Sequence, residues 1–320
     1  MDNPTRVRIL VRNPRRKALT AAVSGLALVG LFAFVWPGVL RGDAERVTGW
    51  IVFQGRDDSG YGIFTMRGDG ADVRVVDIPI PRSLGFPRLS PDGRFLAFIA
   101  EADDGSEDLY VADADGSDPR VIAPSPGEPE GAPSWSPDGR SIAYSSRRDG
   151  NWEIYTVRLD GTGLMRLTDD AAFDAAPAWS PDGSGTIAFS SDRGGVDSHL
   201  YLMHSDGSRV RRLTSGDDEA VPDWSPDGKR IAYAGFSRGN ADIWVIDADG
   251  SDPRRLTMGS LFQYTPRWSP DGLWIAFEGY LGDNPDIFVV HADGTASRRL
   301  TRSGRYAGAP AWYPADRPSR

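Results

Sequence analysis

The chain has 320 residues, 40% hydrophobic and 25% charged, an ordinary composition for a globular protein with a core. It has no cysteine, which excludes disulfides, thiolate metal ligands and thiol catalysis. The formal net charge is -9, but residues 1–17 carry a local +5, so the remainder carries -14. A body this acidic repels phosphate backbones, and we expect no nucleic-acid partner.

The N-terminal region has the pattern of a membrane anchor. Residues 18–40 are 23 consecutive residues without a charge, long enough as a helix to cross a bilayer core. The basic residues 1–17 precede them, so the positive-inside rule predicts a cytoplasmic N-terminus. A cleavable signal peptide is the alternative, but its apolar region is usually only about 7 to 15 residues long and ends at a small-residue site. Residues 41–45 offer no convincing site, and we predict an uncleaved single-pass anchor.

A seven-residue phrase, Pro-x-Trp-Ser-Pro-Asp-Gly, returns along most of the remaining sequence. Copies begin at Pro87, Pro133, Pro177, Pro222, Pro266 and Pro310. The first copy has Leu89 in place of tryptophan, and the last is degenerate. Successive copies of the tryptophan position lie 44 to 46 residues apart, the length of one four-stranded propeller blade.

Three short apolar runs separate one phrase from the next. An Ile-Ala-Tyr type run comes first, a polar loop and a second run follow, and an Asp-Gly turn leads to a third run ending in Arg-Leu-Thr. Glycine supplies the positive φ of such a turn without steric cost. We predict that the tryptophan strand lines the central channel, with its indole between neighbouring sheets. The arginine strand then forms the outer edge, where a charge discourages pairing with another molecule.

The two ends of the repeat region are complementary fragments. Residues 49–77 supply three strands without an inner strand, and residues 310–312 supply an inner strand with nothing after it. Joining them closes the ring and removes its open edges. We therefore predict an all-β six-bladed β-propeller with split-blade closure over residues 49–313. A transmembrane helix (18–40) and a linker (41–48) precede it, and a tail (314–320) follows.

The registered Trp-Ser-Pro-Asp-Gly, Ile-Ala-Tyr and Leu-Thr elements resemble the TolB-like propeller family over residues 49–313. The resemblance implies the propeller fold, but it is weaker for function. The family includes cell-envelope propellers that bind protein partners and the gating propellers of prolyl oligopeptidase-like enzymes. The former carry an α/β domain ahead of the propeller, for which residues 41–48 leave no room, and the latter need a separate hydrolase domain.

Motifs for catalysis and metal binding have unsuitable contexts. The string 235–239 fits G-x-S-x-G, but a nucleophile elbow needs a strand followed by a helix, and this string falls between two strands of a blade. The histidines do not converge on one metal. Residues 113–118 and 247–252 faintly resemble calcium loops but lack the closing glutamate, which favours plain hairpin turns. We predict no catalytic residue, metal or cofactor.

The candidate binding residues lie in the loops that enter the channel. In four successive copies of the phrase, the residue three positions before the first proline is polar: Glu130, Asp174, Glu219 and Gln263. Three neighbouring carboxylates could hold a cation or a basic peptide group, or each could serve its own loop. Aromatic area of the kind found at binding hot spots lies beside them, although some of it could pack inward: Phe173, Phe262, Tyr264 and Tyr306.

Two functions follow from this sequence. The first is a non-enzymatic, membrane-anchored scaffold outside the cytoplasm whose channel mouth holds an envelope protein, a peptide or a cell-wall ligand. The alternative is a propeller lyase or hydrolase acting on glycans or peptides, with Asp174 and Glu219 as an acid/base pair.

Overall fold

The computed structural model describes residues 46–314 except residues 81–83, 103, 238, 260 and 303. In this part of the chain, 24 strands form six four-stranded antiparallel sheets. No helix long and apolar enough to span a bilayer occurs among these residues. The predicted anchor at 18–40 lies outside them, as do residues 1–17.

Each sheet is one blade. Blade 1 contains β1 (Trp50–Asp57), β2 (Gly60–Arg67), β3 (Arg74–Val75) and the C-terminal β24 (Ala307–Trp312). Blade 2 contains β4 (Leu84–Leu89), β5 (Phe95–Glu101), β6 (Glu107–Asp113) and β7 (Arg120–Ala123). Blade 3 contains β8 (Glu130–Trp135), β9 (Ser141–Ser146), β10 (Glu153–Arg158) and β11 (Met165–Arg166).

The remaining blades repeat this order. Blade 4 contains β12 (Asp174–Trp179), β13 (Thr186–Ser191), β14 (His199–His204) and β15 (Arg211–Arg212). Blade 5 contains β16 (Glu219–Trp224), β17 (Arg230–Ser237), β18 (Asn240–Asp247) and β19 (Arg254–Arg255). Blade 6 contains β20 (Phe262–Trp268), β21 (Trp274–Tyr280), β22 (Pro285–His291) and β23 (Ser297–Arg299).

Blade 1 is assembled from both ends of the repeat region. β24 pairs antiparallel with β1, so that Ile51 faces Trp312 and Gly55 faces Ala307. The prediction of a split blade is therefore confirmed, and β24 supplies the inner strand that the first three strands lack.

The core lies between successive sheets, and the repeated tryptophan joins them. Trp135 packs with side chains of blades 2 and 3, and its indole Nε1 donates to the carbonyl of Arg88 at 3.0 Å. Trp224 donates in the same way to the carbonyl of Ala178 at 3.0 Å. Trp312 donates likewise to the carbonyl of Arg267 at 3.1 Å, whereas Trp179 Nε1 and Trp268 Nε1 have no hydrogen-bond partner among the described residues. The indole thus lies between neighbouring sheets as predicted, and in three of the blades a hydrogen bond also fixes its polar edge.

The Ser-Pro-Asp-Gly part of each phrase makes the reversal into the second strand. In blade 3 the Ser136 hydroxyl donates to Asp138 at 2.6 Å and accepts from the amide of Ser141 at 3.0 Å. Gly139 has φ +67°, which glycine adopts without strain. The phrase is therefore a self-bonded turn.

Every inner strand contains one strained residue directly before its proline. These residues are Phe86, Ala132, Ala176, Val221, Thr265 and Ala309, with φ between 46° and 55°. Such a conformation costs non-glycine residues about 1–3 kcal/mol. The amide of Ala176 is held by the Ser145 hydroxyl of the preceding blade at 3.0 Å, so neighbouring blades support the strain.

The sequence analysis predicted that the outer-strand arginines only discourage edge pairing, but in the structure they also form ion pairs. Arg255 Nη2 lies 2.6 Å from the buried Asp242, and Arg299 Nη2 lies 2.6 Å from the buried Asp286. Both arginines are half-buried, and each neutralises a buried acid near the start of the third strand.

Trp312→Ala tests the closure of the ring. We expect it to lower the free energy of unfolding by about 3–5 kcal/mol, because it opens a cavity at the junction that joins the chain ends. Urea denaturation measures the loss, and Trp224→Ala is the matched control for the same cavity within a continuous blade. A loss much smaller than that of the control would contradict closure through β24.

Candidate binding face

One face of the ring carries the starts of the inner strands and the loops between second and third strands; we call it the loop face. Glu130, Asp174 and Glu219 begin β8, β12 and β16, and Gln263 is the second residue of β20. All four are buried. Their places are equivalent, since the phrase sets the register of each blade.

Glu130 is held by its own blade and by the preceding one. Its Oε2 accepts from the amide of Leu109 at 2.8 Å, and its Oε1 bonds Arg148 Nη2. The Arg148 guanidinium lies 5.7 Å from the ring centre of Tyr144 and 5.2 Å from that of Tyr155. Burial raises the pKa of Glu130 to about 7, although Arg148 acts in the opposite direction.

Asp174 has the same arrangement in blade 4. Arg193 Nη2 lies 2.5 Å from its Oδ2. The Arg193 guanidinium lies 5.1 Å from the ring centre of Phe189 and 5.3 Å from that of Tyr201. Burial raises the pKa of Asp174 to about 6.

The other two predicted polar residues have different surroundings. Glu219 Oε2 lies 3.1 Å from His199 Nδ1, and Glu219 Oε1 accepts from the amide of Gly216 at 3.2 Å. The Gln263 amide oxygen is buried and has no hydrogen-bond partner in the described part of the chain. Each carboxylate is thus bonded to its own partners, and no group of three His, Cys, Asp or Glu residues suited to a metal ion occurs among the described residues.

The predicted aromatic residues belong to three separate groups. Phe262 contacts Phe236, Tyr264 and Tyr280, with ring centres 5.6 to 5.9 Å apart, and we call these four the aromatic cluster. Phe262 and Tyr280 are half-buried, whereas Phe236 and Tyr264 belong to the core.

The remaining two aromatic residues lie in other blades. Tyr306 packs edge-on against Tyr61 at 5.4 Å, and Phe173 contacts Trp152 at 5.9 Å. The contact of all these side chains with a ligand stays a prediction.

The channel itself contains charges that the sequence prediction missed. Arg88, Asp223 and Arg267 each follow the proline on an inner strand, and Arg267 Nε lies 3.9 Å from Asp223 Oδ1. Arg88 Nη2 and Arg267 Nε are buried and have no hydrogen-bond acceptor among the described residues. Burial, and then the neighbouring Arg267, lower the pKa of Arg88. These charges could have been found in the sequence, because all three occupy the position after the proline of the repeated phrase.

Glu278 was missed as well, because it lies on a second strand rather than in a loop. Its Oε2 accepts from the amide of the strained Ala309 at 3.0 Å. Burial raises its pKa to about 6, and its negative charge contributes to the raised pKa of Tyr306, after burial. It therefore adds a buried carboxylate beside a predicted aromatic residue.

A pocket of about 400 Å³ opens between blades 4 and 5, and we call it the blade-5 pocket. Its walls include Glu219, Tyr233, Ser237 and Trp244, and the loop 215–217 lies at its exposed edge. The G-x-S-x-G string begins in this wall: residues 235–237 end β17, and β18 begins at Asn240. The string therefore lies in a strand-to-strand hairpin, largely on strand rather than in the predicted loop.

The turns that resemble calcium loops bond to themselves. The Asp115 carboxylate accepts from the amide and the hydroxyl of Ser117, and Asp249 accepts in the same way from Ser251. These are the local bonds of hairpin turns, as the sequence favoured.

A closed ring of six four-stranded sheets defines a six-bladed β-propeller. A family model described as TolB beta propeller domain matches residues 46–234 and 218–318, and the chain belongs to this family.

Solved structures agree with that assignment. TolB from Acinetobacter baumannii is 28% identical with a TM-score of 0.75, over 83% of this chain and 67% of that chain. A putative TolB from Agrobacterium tumefaciens is 24% identical with a TM-score of 0.64, over 82% of this chain and 91% of that one. An oligogalacturonate lyase in complex with manganese is 17% identical with a TM-score of 0.57, over 79% of this chain and 74% of that one, and shares the fold alone.

Glu130→Gln tests the buried carboxylate. The pKa of Glu130 is about 7 in the folded chain against an ordinary 4.5, so the folded state binds the proton more tightly. Its contribution to stability is full below pH 4.5 and is lost as the pH rises through 7. We expect urea denaturation to show the native chain losing up to about 3 kcal/mol relative to Glu130→Gln across this window.

The control for that comparison is Glu128→Gln, the same charge change at a surface residue of the same loop. A pH-independent difference between the native chain and Glu130→Gln would show that Glu130 is not the titrating group.

Proposed function

We propose that the protein is a non-enzymatic scaffold, anchored in the cell membrane by residues 18–40, whose loop face holds an envelope protein, peptide or cell-wall ligand outside the cytoplasm. Family membership supports a propeller of the TolB type. The uncharged segment 18–40 and its basic flank support the anchor and its orientation.

The aromatic cluster carries this proposal. Phe262 and Tyr280 keep part of their rings exposed on the loop face while Phe236 and Tyr264 support them from the core. Rigid, partly exposed aromatic side chains are typical of binding hot spots, since little conformational entropy is lost when they contact a partner. The buried carboxylates of the loop face are bonded to groups of the same chain, which favours recognition over proton transfer.

The enzymatic alternative has one observation in its favour, the pKa of about 6 of Asp174, which suits a general acid. Asp174 is paired with Arg193, however, and Glu219 with His199. Under the alternative, Asp174→Asn abolishes turnover of a glycan or peptide while binding is retained.

Phe262→Ser tests the scaffold. Full-length protein is purified with its partners from native membranes in mild detergent, and the partners are identified by mass spectrometry. We expect the variant to recover a specific envelope partner at least about tenfold less well, because it removes the exposed ring of the aromatic cluster.

Met165→Ser is the matched control, since Met165 is an exposed apolar residue on the outer strand of blade 3. Equal recovery with both variants would show that the aromatic cluster is not the binding surface, and recovery of no partner by the native chain would contradict the scaffold.

The orientation is tested with single cysteines, because the chain has none of its own. Val196 is 79% exposed, so Val196→Cys should react with a membrane-impermeant maleimide on spheroplasts. Thr5→Cys in the basic tail should react only after lysis. The reverse pattern would place the propeller in the cytoplasm.

A further inference from the structure

Blades 3, 4 and 5 place three elements at equivalent positions on the loop face. An acid begins the inner strand, and an aromatic pair joins the second and third strands. On the second strand, the residue that pairs with the acid is Ser146 in blade 3, Ser191 in blade 4 and Gly235 in blade 5. The third element lies two residues after it. This third residue is Arg148 in blade 3, Arg193 in blade 4 and Ser237 in blade 5.

In blades 3 and 4 the third residue fills the space between the acid and the rings. The Arg193 guanidinium lies within 5.3 Å of the ring centres of Phe189 and Tyr201, and its Nη2 is 2.5 Å from Asp174. Its Nε also donates to the Ser191 hydroxyl at 2.8 Å. A cation over two rings and against a carboxylate gains from both contacts.

Arg148 repeats this arrangement in blade 3. It lies over the Tyr144 and Tyr155 rings, bonds Glu130, and reaches the carbonyl of Ala123 in blade 2 at 3.4 Å. Two successive blades thus have the same arrangement, in which a guanidinium pairs with a buried acid and lies over two aromatic rings.

Blade 5 keeps the acid and the rings, but it has Ser237 at the position of the arginine, and no described residue places a guanidinium over these rings. Glu219 is 6% exposed, and Tyr233 stacks on Trp244 with ring centres 6.4 Å apart at 24°. Ser237 is too short to lie over either ring, and the blade-5 pocket of about 400 Å³ occurs here. The Trp244 ring fits closely on Gly235, where an added Cβ would come within 2.7 Å of it, so the ring is fixed in place.

We infer that the blade-5 pocket binds the guanidinium of an arginine side chain that a partner protein or peptide supplies, in the place that Arg148 and Arg193 fill in their own blades. This inference rests on the proposed scaffold function and gives the chemistry of one of its contacts. Trp244 is the best aromatic partner for a cation. The exposed Asp217 at the pocket edge adds negative charge that attracts a basic group.

The Glu219 carboxylate has hydrogen-bonding capacity left for a guanidinium. His199 and Gly216 use two hydrogen-bonding sites of the Glu219 carboxylate, and a carboxylate has about four. Arginine should bind better than lysine, because a planar guanidinium stacks on aromatic rings and an ammonium does not.

The test is a calorimetric titration of full-length protein in detergent with Nα-acetyl-arginine amide. We expect saturable binding, at least about tenfold weaker for the citrulline analogue, which has the same shape without the charge. Ser237→Arg should weaken binding by a similar factor, because the chain then fills its own pocket as blades 3 and 4 do. Ser237→Gln adds a neutral side chain and should retain binding, and Glu219→Gln, which keeps the acid's shape, should weaken it.

Three results would overturn the inference: no binding of the arginine probe, equal binding of the citrulline probe, or undiminished binding by both Ser237→Arg and Glu219→Gln. Arg238 lies outside the described residues, so Arg238→Ser is titrated in parallel. If only Arg238→Ser binds the probe and the native chain does not, Arg238 of the chain itself fills the pocket. That result would also contradict the inference that a partner supplies the arginine.

Capture from membranes separates this inference from the proposed function. If Ser237→Arg loses the arginine probe but recovers the partner as the native chain does, the scaffold stands and the pocket is not its contact. Loss of both supports the inference, whereas probe binding without any partner recovered by the native chain contradicts the scaffold alone.

Discussion

The pairing of β24 with β1 is the constraint on which the rest of this structure depends. It brings Trp312 into the same junction position as the tryptophans of the continuous blades and leaves no open inner edge. A closed ring fixes where every blade begins, so that the loops entering the channel are held at equivalent points. The arrangement of the loop face is therefore a product of closure.

The buried acids of the loop face are paired with side chains of the same chain, and the blades differ in which side chain does this. Arg148 and Arg193 compensate the acids of blades 3 and 4 while lying over aromatic pairs. Blade 5 has His199 from blade 4 against Glu219, and a pocket remains. A repeat fold makes such a difference visible, since the neighbouring blades show what normally occupies the space.

Much of the fold could be predicted from sequence because its signals are local and periodic. The tryptophan spacing, the Asp-Gly turns and the complementary ends each depend on few residues, and they specify blade number and closure. The acids that begin the inner strands could be placed in the same way, since the phrase fixes their register.

Their partners could not be predicted, because each contact depends on which side chains meet across a loop or a blade junction. Arg148 and Arg193 lie in loops of variable sequence, and Glu278 reaches the backbone of the next inner strand. The exposure of the aromatic residues was equally undetermined, and Tyr264 and Phe262, two positions apart, differ in burial. The pocket is a further case, since it results from a short side chain at one of several equivalent positions.

Native-state hydrogen exchange of the full-length chain, followed by mass spectrometry, tests ring closure most directly. The account predicts that the amides of β1 exchange as slowly as those of the second strands β9 and β13, and that the amides of β24 exchange as slowly as those of the inner strands β8 and β12. Rapid exchange in β24, with slow exchange in β8 and β12, would show that the ring is open and would contradict the account.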